Sequence, residues 1–172
     1  MLTLLLYQSF YSNFFKLIWQ MNIQHLVIYI LAAIVLSTSI IYFILASNEY
    51  KSLVEFAAEG LEGEIPELQI EIVLFAGSGI IYLGLLGWIL VKKLKSIVPF
   101  SILIVISIIL IITYAASRTV GVPLIGVEFY IGKYDMPSKV LQGIIIAISG
   151  YLIYRIMTNR RKQQQETMKR KK

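Results

Sequence analysis

The sequence predicts an all-α integral membrane protein, a four-helix bundle, and three observations carry the prediction. Hydrophobic residues make up 58% of the 172-residue chain and charged residues 15%; a chain this short has too little interior to hide that much apolar surface from water. The mean hydropathy of +0.75 agrees. Charges are also missing over lengths that match a bilayer. A helix rises about 1.5 Å per residue, so about 20 apolar residues cross a hydrocarbon core of about 30 Å. Finally, the basic residues gather on alternate flanks of the uncharged stretches.

Residues 1–24 are apolar but interrupted by polar pairs, and their first base, Lys16, follows the apolar part. A secretory leader has the opposite order and a small-residue cleavage site. Three readings stand side by side. The segment is an interfacial helix with Leu6, Phe10, Phe14 and Leu17 on one face, or a fifth span, or an upstream extension of a chain whose translation starts at Met21.

The transmembrane domain is expected over 25–157. From Lys16 to Glu49 there is no further charge, and the apolar part places the first span near 25–47. Twenty uncharged residues lie between Glu71 and Lys92, and 22 between Lys95 and Arg118, giving spans near 72–91 and 97–116. Only 15 separate Lys139 from Arg155. That span reaches full length, 137–157, if Arg155 extends its guanidinium to the interface. The run Ile102-Leu103-Ile104-Val105-Ile106-Ser107-Ile108-Ile109 does not alternate apolar with polar, so it reads as a lipid-embedded helix and not as a barrel strand.

The segments before the first span, between the second and third, and after the fourth hold 12 of the 16 basic residues. Basic excess marks the cytoplasmic side, so both termini are expected inside a cell membrane. Trp19 and Trp88 fall at the same boundary, where indole favours the interface.

The first outer loop, Asn48 to Glu71, holds seven Glu and one Lys. Leu53, Val54, Ala57 and Leu61 recur at helical spacing, which predicts a short amphipathic surface helix ended by Gly60, Gly63 and Pro66. A solvated acidic face explains its carboxylates better than a divalent-cation site, because the spacing is not that of a calcium loop. The second outer loop is about twenty residues long and largely apolar, so it is expected to fold over the helix ends. Arg118 is then a natural partner for Glu128 or Asp135, as a structural lid or as a small site for an anion or a partner subunit. Asp135 and Pro137 fit an N-cap and a first-turn proline opening the fourth helix.

The phrase Ser117-Arg118-Thr119-Val120-Gly121-Val122-Pro123, with an acidic residue after it, resembles a motif of small four-helix membrane proteins of prokaryotes that have no assigned activity. The resemblance covers the third helix, this loop and the start of the fourth helix. It implies that Arg118, Gly121 and Pro123 are a shared structural feature.

Small residues recur at packing distance: Gly77, Gly84 and Gly87 in the second span, Gly143, Ala147 and Gly150 in the fourth. Such faces let helix backbones approach where lipid supplies little drive for association. They are expected to build the bundle interior, or else to dock a partner helix or a second copy. The basic tail, 158–172, carries Arg160, Arg161, Lys162, Lys169, Arg170, Lys171 and Lys172 and is expected to meet anionic lipid. No aromatic residues interleave with these charges, so nucleic acid is not expected.

With no Cys and one His, the chain offers no thiol chemistry and no His-rich metal site, and no cofactor is expected. No charge lies near the centre of a span, where catalysis or ion coupling usually needs one. The sequence therefore favours a non-enzymatic accessory or assembly subunit of a membrane complex. The alternative is a small oligomeric transporter or channel, whose polar path would draw on Ser and Thr hydroxyls with Arg118, Glu128 and Asp135.

Overall fold

The computed structural model describes residues 23–60, 63, 65–92, 94, 96–121 and 132–170. These form four α-helices and no strand: α1 (Ile23–Glu59), α2 (Ile65–Lys92), α3 (Val98–Thr119) and α4 (Asp135–Arg170). All four are long and apolar enough to cross a membrane. The chain is a multi-pass membrane protein. Residues 1–22, with their three readings, and most of the segment between α3 and α4, Glu128 included, lie outside the described residues.

The helices run alternately up and down. α1 lies most extensively against α2, then α3 against α4 and α1 against α4, while α2 and α3 touch only sparingly. Large apolar side chains such as Val73, Ile80, Val105, Ile112 and Val140 face outward, as they do where the solvent is lipid.

Three sequence expectations need correction. First, no separate amphipathic helix follows the first span. α1 continues unbroken to Glu59, because nothing between Ser47 and Glu59 breaks a helix and extending one is easier than nucleating another. Gly60 stops it at φ +74°, a conformation open to glycine. Pro66 does not end a helix but sits second in α2, where its missing N–H would be unpaired anyway.

Second, Asp135 is not the N-cap of α4. The Tyr134 carbonyl accepts the first helical bond, from the Ser138 N–H at 3.1 Å, and the Asp135 carboxylate turns back to accept the Gly132 N–H at 2.9 Å.

Third, the small-residue faces do not build the interior. A Cβ added at Gly77, Gly84, Gly87, Gly143 or Gly150 would meet nothing within 4 Å, and Ala147 is exposed. On α4 the opposite face, with Ser138, Gln142, Ile145, Ser149, Leu152 and Ile156, is buried. On α2 the buried face carries Ser78, Gly79, Tyr82, Leu85 and Ile89. Polar groups are costly in lipid and must find partners inside the bundle, whereas glycine tolerates lipid contact. The close helix approach occurs at Gly79 instead. There a Cβ would stand 3.1 Å from the Phe43 ring, and the Ser39 hydroxyl donates to the Gly79 carbonyl at 2.8 Å.

Candidate functional site: a polar seam in one half of the bundle

The two ends of the bundle differ in kind. Toward the tail the core is dry: Leu31, Val35, Leu85, Ile89, Phe100 and Leu103 are all buried. The buried polar side chains lie at mid-depth or nearer the end formed by Arg118 and Asp135. They are Thr38, Ser39, Glu71, Ser78, Ser107, Ser117, Ser138, Gln142 and Ser149. Two buried tyrosines, Tyr42 and Tyr82, stand among them, their rings stacked at 5.9 Å.

At the mouth, Arg118 Nη2 donates to Asp135 Oδ2 at 2.9 Å. Their side chains are 17% and 14% exposed, so the pair is shielded enough to hold the end of α3 against the start of α4. The pair depends on where α3 stops. Gly121 takes φ +81°, and the N–H groups of Val120 and Gly121 both donate to the Ala116 carbonyl, at 3.0 and 2.9 Å. That closes the helix just after Arg118, which stands in its last turn. The guanidinium also lies over the Tyr114 ring, 5.1 Å from its centre.

Below the mouth a chain of hydrogen bonds joins all four helices. Lys139 Nζ donates to the Tyr42 hydroxyl at 3.4 Å. Gln142 Nε2 donates to the same hydroxyl at 2.7 Å and to the Tyr82 hydroxyl at 3.4 Å. Tyr82 and Ser107 pair through their hydroxyls at 2.9 Å. Asp135 to Gln142 covers about 10 Å along α4, and Arg118 to Ser107 about 16 Å along α3, so the seam reaches from the surface to the middle of the bundle. Among the described residues, Gln142 Oε1 and Ser149 Oγ are buried without a partner.

The chemistry this allows is binding and alignment. Tyr, Gln and Ser hydroxyls and amides set the register of four helices that lipid alone would let slide. Among the described residues no three His, Cys, Asp or Glu side chains gather to hold a metal ion.

Of the residues singled out in the sequence, the structure joins Arg118 to Asp135 and leaves the glycine faces outside. The basic tail continues α4 as a bare helix, every residue from 159 to 169 exposed. A shallow open groove runs along it, lined by Arg160, Gln163, Gln164, Thr167 and Met168, far from the seam. Tyr42, Tyr82, Lys139 and Gln142 are not marked out as a site by the sequence. The signal that points to the seam is phase: Ser138, Gln142 and Ser149 share one face of α4.

Comparison with protein-family models, with curated proteins and with solved structures finds no match to this chain.

Proposed function

We propose that the chain is a non-enzymatic accessory or assembly subunit of a complex in the cell membrane, with both termini on the cytoplasmic side. One observation carries this reading. α4 runs on beyond its span as a helix exposed on all sides, to which the rest of the described chain contributes no cover. An isolated polar helix of that length is marginal in water; this one is held by continuity with the span and presents a ready surface to a partner.

The tail also divides by reach. Taking the membrane boundary at Met157, Lys162 stands about 7 Å beyond it and Lys169 about 18 Å. Screening at physiological salt acts over about 8 Å. Arg160, Arg161 and Lys162 therefore suit anionic lipid, while Lys169 and Arg170, with Lys171 and Lys172 next in sequence, suit an acidic cytoplasmic face of a partner protein.

Purification in mild detergent followed by mass spectrometry tests the reading. A stable heteromeric partner, lost when residues 159–172 are removed, is expected. A homo-oligomer that carries solute flux in liposomes overturns it in favour of a small transporter or channel. The polar seam favours that second reading only in part, because the dry tail-end core closes any path through a single chain. Orientation is tested separately by single-cysteine labelling, for which this Cys-free sequence is suited: a cysteine replacing Lys172 is expected to react only from the cytoplasmic side.

A further inference from the structure

Among residues 158–172 the one apolar side chain is Met168, and it is 64% exposed. It stands eleven residues past Met157, about 16 Å beyond the membrane boundary taken there. Lipid does not reach a side chain at that height. Methionine is unbranched and polarizable, which suits it to anchoring a contact with a partner surface.

The helix around Met168 has two unlike faces. Lys162, Glu166 and Lys169 recur at i, i+4 and i+7 on one face, a spacing at which the carboxylate offsets both ammonium groups. Gln164, Thr167 and Met168 recur at i, i+3 and i+4 on the other. The shallow groove of the tail follows this second face. The Thr167 hydroxyl is turned back onto the helix, donating to the Gln163 carbonyl at 2.8 Å, so the face offers a thioether and an amide. Lys171 and Lys172 follow three and four residues after Met168 in sequence, and Glu166 is the one acid of the tail. The Met168 face therefore pairs an apolar centre with neighbouring basic charge and has no acid of its own. Nucleic acid would take up that charge, but it is held by stacking aromatic side chains that this face lacks.

We propose that the Gln164–Thr167–Met168 face of α4 docks into an apolar pocket rimmed by carboxylates on a partner protein at the tail side of the membrane. Met168 fills the pocket, in the manner of a helix laid into a groove, and the terminal lysines meet the rim. The proposal rests on the partner reading above and adds which face is used and what chemistry receives it.

The test places a genetically encoded benzophenone amino acid at position 162, 164, 166 or 168 of the full chain in its own membrane. After illumination the attached peptide is sequenced by mass spectrometry. Positions 164 and 168 are expected to attach to a protein segment rich in Asp and Glu, with at least tenfold higher yield than 162 and 166. With the probe at 164, Met168→Gln lowers the yield about tenfold, the effect of exposing one buried methionine, and Met168→Leu keeps it. These positions are all exposed, so an unchanged unfolding temperature is expected in every variant. Equal yields from both faces, a contact segment without acidic residues, or attachment to phospholipid, to nucleic acid or to a second copy of the chain overturns the proposal. A partner lost on removal of residues 159–172 but never attached from 164 or 168 overturns this face and leaves the partner reading standing. A partner retained after that removal overturns the role of the tail in both.

Discussion

The two halves of this bundle solve the same problem by different means. Toward the tail, Leu31, Val35, Leu85, Ile89, Phe100 and Leu103 hold the helices by packing alone. Toward Arg118, the Tyr42–Gln142–Tyr82–Ser107 chain holds them by hydrogen bonds. In lipid a packed interface gains little from excluding solvent, so it is sensitive to lost volume. A hydrogen-bonded interface is sensitive to lost partners and comparatively indifferent to volume.

The contrast can be broken at its strongest point first. Phe100→Ala, fully buried in the dry half, is expected to destabilise by about 3 kcal/mol through the cavity it leaves, measured by reversible unfolding in mixed micelles. Next, Arg118→Met leaves the shielded Asp135 carboxylate without its partner and should cost about 2 kcal/mol; adding Asp135→Asn should restore at least half. If the double variant is no better than the single, the pair is not what joins α3 to α4. Smaller again, Tyr82→Phe removes the Ser107 bond and is expected to cost about 1 kcal/mol. An unchanged unfolding midpoint would mean that the polar half is also held by packing. The finest test compares two glycines of α2. Gly79→Ala presses on the Phe43 ring while Gly84→Ala meets open space, so the first should be less stable than the second by about 0.5–1 kcal/mol, within the cost of overpacking and helix propensity. Equal stabilities would remove Gly79 as the point of close approach.

Much of this architecture is legible in the sequence, for identifiable reasons. The spans announce themselves because charge is excluded from hydrocarbon: Glu71 and Lys92, or Lys95 and Arg118, bracket a bilayer's width. Arg118 and Asp135 are legible as partners because each is charged, near a span end and joined by a largely apolar loop. The seam is not. Tyr42 and Tyr82 are counted among the 58% hydrophobic residues, and Gln142 is a single amide in an oily stretch. The inward face of α4 is hard to read for a related reason. Its glycine face and its Ser138–Gln142–Ser149 face are both regular, and only the relative cost of leaving an amide or a glycine against lipid decides between them. The length of α1 is missed because span length and helix length are different quantities; hydrocarbon thickness sets the first, and Gly60 sets the second.

The unbroken course of α4 has a mechanical consequence. From Gln142, anchored in the seam, to Lys169 is about 40 Å of continuous helix. A tilt of only 10° about Gln142 would sweep Lys169 sideways by about 7 Å. Whatever grips the far tip of this lever is therefore coupled to the hydrogen bonds at its fulcrum, and loosening Gln142 from Tyr42 would be felt in the water phase as displacement.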